Sequence, residues 1–221
     1  MCASRKPEGA SPIARIGHAV RPLVASDEEA VYRICLRTGA DGGDASGLYA
    51  DPRLLGHIYA GPYVRLAPEY GFVVEDEEGV GGYILGTADT LAFEARLEVD
   101  WWPALRRRYP PPEKARRSAW TADEMRIWQI HHPWRTPEAM ARPFPAHLHI
   151  DLLPRLQGRG LGSVLMAKWR ELMRSRGVNA AHLGVSLANK RAIRFYEKEG
   201  WRRIGPEVAG DVGGAWYGVG L

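Results

Sequence analysis

Apolar positions recur at helical spacing in some stretches of the chain and alternate in others, with glycine and proline at the borders. Residues 18–24 alternate weakly, as a first strand does. Ser26-Asp27-Glu28-Glu29 has the form of a capping box, with Ser26 capping and Glu29 reaching back. The helix it predicts carries Val31, Ile34 and Cys35 and ends near Gly39; the Gly- and Asp-rich residues 41–47 are then a loop. Asp51-Pro52 opens another helix, Asp as cap and Pro in the first turn, with Leu54, Leu55 and Ile58 as its buried stripe. Residues 71–74 and 80–87 read as a hairpin around a polar turn, with glycines at 79, 81 and 82 marking a bulge.

Residues 91–145 break this rhythm. They hold Trp101, Trp102, Trp120, Trp128 and Trp134 among eight prolines. Two short helices fit, around 103–109 and 121–130, the second opened by a capping box from Thr121 to Glu124. The segment reads as an insertion walling a site, spanning 90–145 of one domain over 18–221, with residues 1–17 a flexible tail. Order returns with a strand at 147–153, a glycine loop at 158–162 and an amphipathic helix over 161–176 closed by Gly177. A strand at 181–185 and a helix at 189–199 closed by Gly200 follow, and residues 201–205 and 215–219 form a terminal antiparallel pair.

Composition narrows the class. With 221 residues, 45% hydrophobic and 25% charged, the chain suits one soluble α/β domain and excludes a largely disordered chain or a small disulfide scaffold. No apolar run reaches the ~18 residues of a membrane span, and the N-terminus has no apolar signal core; a cytoplasmic protein, not a membrane one, is expected. Cys2 sits in the tail and Cys35 on an apolar helix face, so Cys35 reads as a core thiol. A net charge of +4 fits an anionic small ligand as easily as nucleic acid and decides nothing alone; arginine clusters among tryptophans leave a nucleic-acid binder as the least expected function, and no nucleic-acid partner is expected. The seven histidines and two cysteines have no zinc-ligand spacing, so no metal is expected.

The sharpest signal is the run Leu152-Leu153-Pro154-Arg155-Leu156-Gln157-Gly158-Arg159-Gly160-Leu161-Gly162-Ser163, where a strand feeds a glycine loop and the loop feeds a helix. Glycines let backbone N–H groups converge and the helix start adds partial positive charge, which together make a phosphate cradle. Arg155, Arg159 and Lys168 are close enough in sequence to add charge. Neither nucleotide fingerprint fits: no lysine precedes Ser163, and Ser163 stands where the third dinucleotide glycine belongs.

Gln157-x-x-Gly160-x-Gly162 after a strand ending in Pro154 resembles the acetyl-CoA loop of the GNAT acetyltransferases, and residues 189–201 resemble that family's second motif. Arg21-Pro22, residues 72–76, Gly82-Tyr83, residues 85–87, Asp89, Trp101, Pro103, Tyr109 and Ile150-Asp151 resemble the acetyltransferase-like C-terminal domain of O-GlcNAcase and its stand-alone bacterial relatives. The resemblance implies an α/β (α+β) fold with a central, mixed, mostly antiparallel twisted sheet of about seven strands flanked by helices. It also implies an acetyl-CoA-dependent N-acetyltransferase that acetylates a primary amine, on a small molecule or a protein lysine, by direct attack in a ternary complex and releases CoA. The animal domain has a degraded phosphate loop, so a catalytically inactive acetyl-CoA-binding or protein-interaction module is the alternative; here the loop is intact. Oligomeric state is left open, a homodimer included.

The resemblance assigns cofactor contacts to Leu152, Leu153, Gln157, Gly158, Arg159, Gly160, Leu161, Gly162, Ser163, Asn189, Ala192, Phe195 and Tyr196. Asn189, Ala192 and Tyr196 share one helical stripe, which the resemblance sets beside the pantetheine arm. Tyr196 is then the acid for the leaving thiolate, or merely packs; Asn189 binds the pantetheine amides, caps its helix, or does both. The oxyanion donor is expected to be a main-chain N–H near Leu153. For the base, His147, His149 and Asp151 alternate onto one strand face. Asp151 ranks first on the resemblance and His149 is the more convenient base near pH 7, while a buried structural Asp151 or a water chain remain open. Asp41, Asp89 and Trp101 are candidates for the substrate approach, with turn chemistry (Asp41) and core packing (Trp101) as the plainer readings. Arg106-Arg107-Arg108 and Arg116-Arg117 read as a solvated face.

Overall fold

The computed structural model describes residues 17–208 and 213–221; the tail expected over 1–17 lies almost wholly outside the described residues, and so does Cys2. The chain forms β1 (Ala19–Pro22), α1 (Glu28–Thr38), α2 (Leu54–Tyr59), α3 (Gly61–Leu66), β2 (Phe72–Asp76), β3 (Gly79–Thr87), α4 (Thr90–Asp100) and α5 (Trp102–Arg108). It continues with α6 (Ala122–His131), α7 (Glu138–Ala141), β4 (Ala146–Leu152), α8 (Leu161–Ser175), β5 (Ala180–Ser186), α9 (Lys190–Lys198), β6 (Arg202–Val208) and β7 (Gly214–Gly220). The seven strands make one mixed, mostly antiparallel sheet in the order β1-β2-β3-β4-β5-β7-β6. Only β4 and β5 run parallel, joined by the crossover through α8.

Alternation along the strands divides the core. Val73, Tyr83 and Leu85 point to one face, under α1 to α6; Val74, Ile84 and Leu148 point to the other, under α8 and α9. With both faces covered, every residue of β3 after Gly79 is buried, and the strand reads as a continuous apolar run rather than an alternating one. The hairpin bulge lies between Val74 and Glu75, opposite Gly81. Cys35 is buried.

Helix starts depart from the sequence reading in two places. The segment 25–27 is a single 3-10 turn, and Asp27 rather than Ser26 accepts the Val24 N–H, at 3.0 Å. Asp27 is recruited by a partner distant from its helix face: Arg21 grips both its carboxylate oxygens at 2.8 Å. The Asp51 side chain accepts from the Arg53 N–H, so Asp51-Pro52 forms a turn and the helix begins at Leu54. The Thr121–Glu124 capping box is present in both directions. Residues 91–145 hold four helices rather than two. The longest, α4, is anchored by Thr90, Phe93 and Leu97, a spacing that the tryptophans and prolines downstream obscured.

Burial tends to raise the Asp27 pKa, but the Arg21 guanidinium and the Val24 N–H outweigh it and hold the group below the ordinary carboxylate value. Its stabilisation is therefore complete above the ordinary carboxylate pKa and fades as pH falls through the lowered one. Asp27→Asn is expected to cost about 2 kcal/mol at pH 7 in urea unfolding, with a smaller difference from native at pH 3.

Candidate active site

β4 and β5 pair at only two positions, Ala146 with Ala181 and His147 with His182, and then diverge. The gap is part of a cleft of about 320 Å³ that reaches from the glycine loop to the centre of the sheet. Leu152, Gln157, Gly158, Gly160, Leu161, Gly162, Ser163, Asn189, Ala192, Phe195 and Tyr196 line it together with Asp151, so most of the residues singled out in the sequence meet around one space.

The loop is built as its glycines predict. Gly158 and Gly160 have φ of 72° and 77°, a region that L side chains enter at a cost. The first backbone bond of α8 is Val164 N–H to Gly160 O, so the N–H groups of Leu161, Gly162 and Ser163 ahead of it are the free donors of a helix start. Gly162 packs closely under Phe195: a Cβ there would come within 3.2 Å of the ring. The Ser163 hydroxyl donates to Glu199 at 2.5 Å. The Gln157 amide donates to Leu152 O at 2.6 Å and accepts from Arg191, locking the loop against the free edge of β4.

The cations differ from expectation. Arg155 turns away to the β2–β3 hairpin, where it donates to Asp76 at 2.9 and 3.1 Å and to Gly79 O at 3.1 Å. Arg159 is exposed beside His18 and, like Leu153, does not line the cleft. The cleft's own cations are Arg191 and Lys198. They stand seven residues apart on one face of α9, a spacing that could have been read from the sequence. Gly42, from the Gly- and Asp-rich loop, completes the far wall with Thr38, which had no local signal.

Leu153 is also excluded as the main-chain donor. Its N–H donates to Gly81 O at 2.8 Å. Odd-numbered residues of β4 therefore bond to β3, and the polar backbone of Ile150 and Leu152 points the other way, into the gap. The Leu152 N–H is the free donor one residue earlier.

Tyr196 is buried against Phe195 and Trp201, and its phenol pKa is pushed well up by burial and by the Asp151 charge. Asp151 accepts the Tyr83 O–H at 2.6 Å. Burial raises its pKa above the carboxylate norm, against the opposing effect of Tyr83 and Thr38. Asn189 caps α9, accepting from the Ala192 N–H at 3.0 Å, and its amide nitrogen remains beside Gly42 in the cleft wall. His149 is held by Tyr63 at 3.1 Å, and burial pushes its pKa down to about 4, which removes its advantage as a base near pH 7.

The substrate candidates separate. Asp41 sits at φ 50° in the loop beside Gly42; Gly42 lines the cleft and Asp41 does not. Asp89 caps α4, accepting from the Ala92 N–H at 3.0 Å, and Trp101 donates to His57 O at 2.9 Å within the α-helical layer; neither lines the cleft. Arg106 is not solvated but bound to Glu98 and to Ile130 O. Among the described residues no cluster of three or more His, Cys, Asp or Glu can hold a metal ion, and no helix is long and apolar enough to cross a membrane.

The family model described as "Acetyltransferase (GNAT) family" matches residues 50–201. The solved structure of SsHAT is similar at 41% identity and a TM-score of 0.81, covering 92% of this chain and 98% of that one. Rat protein O-GlcNAcase is 27% identical over 195 residues, 88% of this chain; the chain spans about a fifth of its length (21%). YncA from Salmonella typhimurium, a putative acetyltransferase solved with its cofactor acetyl-CoA, shares the fold at 14% identity and a TM-score of 0.51, over 92% of this chain and 94% of that one. With more than half of its length matched by the family model, and the sheet, the parted strands and the glycine loop in place, the chain belongs to the GNAT acetyltransferase family.

Proposed function

We propose that the cleft binds acetyl-CoA and that the protein transfers the acetyl group to a primary amine by direct attack in a ternary complex. The observation that carries this reading is one continuous cleft joining a phosphate cradle to Asp151 and Tyr196 through the gap between β4 and β5. The residues fit the ligand: free N–H donors at the start of α8 with Arg191 and Lys198 suit a pyrophosphate, and the backbone of Ile150, which points into the gap, suits the pantetheine amides. Bound acetyl-CoA supplies an activated thioester carbonyl.

The chain's residues then have separate tasks. The Leu152 N–H donates to the carbonyl oxygen as it gains charge. Tyr196, held protonated by its surroundings, carries the proton for the departing sulfur. An acceptor amine arrives as an ammonium with a pKa of about 10.4 and must lose a proton first. Asp151 attracts that ammonium and takes the proton, and its raised pKa makes it a better base than a free carboxylate. The acceptor is a small-molecule amine or a protein lysine.

The test is CoA release, followed with a thiol reagent, across a panel of primary amines. At least one amine is expected to drive release above the hydrolytic background; none doing so, with acetyl-CoA bound, would establish the inactive module instead. With the active amine, Asp151→Asn is expected to lower kcat/KM about 100-fold while leaving acetyl-CoA affinity unchanged. The same variant should melt later than native by roughly 1 kcal/mol, because it removes a desolvated carboxylate and keeps an acceptor for Tyr83.

A further inference from the structure

A chain of hydrogen bonds runs from Thr90 at the start of α4 through Tyr63 of α3 to the histidines of β4, and its direction can be deduced. Thr90 Oγ1 lies 2.7 Å from Pro145 O, and a carbonyl only accepts, so Thr90 donates its single proton there. Thr90 Oγ1 also lies 2.8 Å from His147 Nδ1; its proton being committed, it accepts, and His147 carries its proton on Nδ1. His147 Nε2 is then a bare acceptor and takes the Tyr63 O–H at 2.7 Å. Tyr63, having given its proton, accepts from His149 Nε2 at 3.1 Å. His149 is thereby a neutral imidazole with its proton on Nε2 and a lone pair on Nδ1. That Nδ1 has no partner among the described residues. The imidazole is only partly buried, and it lies just beyond the residues that line the cleft, two positions from Asp151 on the same strand.

The surroundings hold this arrangement in place. Thr90 is fully buried and Tyr63 nearly so, with its ring stacked on Phe93 at 4.8 Å. Burial keeps both histidines well below their ordinary pKa, so neither gains the second proton that would break the sequence. His149 precedes Asp151 by two positions on the same strand face, about 7 Å along β4.

We propose that Thr90, His147 and Tyr63 form a one-way relay whose product is the bare Nδ1 of His149, which accepts an N–H from the incoming amine while Asp151 faces another. The inference rests on the proposed acetyl transfer for the identity of the ligand, and on hydrogen bonds alone for the tautomers. His149 here is an acceptor that orients the amine and not the base; the three residues behind it are positioning residues. An amine with at least two N–H groups, primary and not tertiary, is the class this pair of acceptors selects.

The experiment is a long-range proton–nitrogen correlation on protein labelled with 15N-histidine and saturated with CoA, before and after titration with n-butylamine. Opposite tautomers are expected, His147 protonated on Nδ1 and His149 on Nε2, with the amine shifting only the His149 Nδ1 resonance. Thr90→Val removes the hydroxyl that sets the direction, and His149 should then move its proton to Nδ1. Tyr63→Phe, which keeps the stacked ring, should free His149 from a fixed tautomer and leave His147, still held by Thr90, protonated on Nδ1. In the native protein with an active amine, Thr90→Val should raise the amine KM about tenfold at unchanged acetyl-CoA affinity. Matching tautomers, a His149 protonated on Nδ1, or a tautomer indifferent to Thr90→Val would overturn the relay. A bare Nδ1 that ignores the amine would overturn the acceptor role. Failure of acetyl-CoA to bind at all would strike the proposed function instead, and the tautomers would still be readable.

Discussion

Acetyl-CoA at a hundredfold its dissociation constant should raise the melting temperature of the native protein by about 5–10 °C. Binding to the folded state alone contributes about 2.7 kcal/mol at that concentration, and a domain of this size gains about 2–4 °C per kcal/mol. Gly160→Asp is expected to abolish the shift. At φ 77° the new side chain costs about 1 kcal/mol of backbone strain. It also brings a carboxylate to the N–H groups that would face the phosphates. Arg155→Ala is the informative control: its guanidinium is bound to Asp76, so this variant should melt earlier without the ligand and still respond to it in full. A native protein that shows no shift at millimolar acetyl-CoA would remove the cofactor site from the argument. A full shift in Gly160→Asp would remove the glycine loop from it.

Tyr196→Phe should lower kcat about 100-fold with the acetyl-CoA response intact. The ring contacts with Phe195 and Trp201 survive the substitution, and only the hydroxyl is lost. The pH profile carries a second expectation. Burial and the Asp151 charge raise the phenol pKa, so the proton stays on Tyr196 to higher pH than on a free phenol. The native rate should therefore hold level through pH 10, where an exposed tyrosine acting as acid would already fail. An unchanged kcat in Tyr196→Phe would assign the proton to another donor.

The glycine loop was readable in the sequence because everything that makes it is local: the strand end, Gly158, Gly160 and the start of α8 lie within a dozen residues. Asn189, Ala192 and Tyr196 were readable for the same reason, since one helix fixes their common stripe. What failed depended on distant partners. Arg155 was assigned to phosphate because its carboxylate, Asp76, is 79 residues away. The main-chain donor expected near Leu153 narrows to the Leu152 N–H only through register with β3; a shift of one residue exchanges the bonded and the free edge. Asp89 and Trp101 looked like substrate residues by composition, and both proved to be committed to caps and carbonyls in the layer of α4 and α5.

The parted strands have a mechanical consequence. Two rungs alone tie the leaf made of β1 to β4 to the leaf made of β5 to β7. The joint is carried instead by the apolar seam beneath α8. There Leu165, Met166, Trp169 and Met173 belong to one cluster with Val74, Ile84 and Leu148 of the first leaf and Leu183, Val185 and Tyr217 of the second. Gly86 allows the Trp169 indole to approach the strand closely; a Cβ there would meet its nitrogen at 2.7 Å. The helix whose first turn would face the phosphates of acetyl-CoA is thus also the rivet between the leaves. A ligand seated on that turn braces the hinge from its end, so the opening that admits the ligand becomes the place where the molecule stiffens once it is filled.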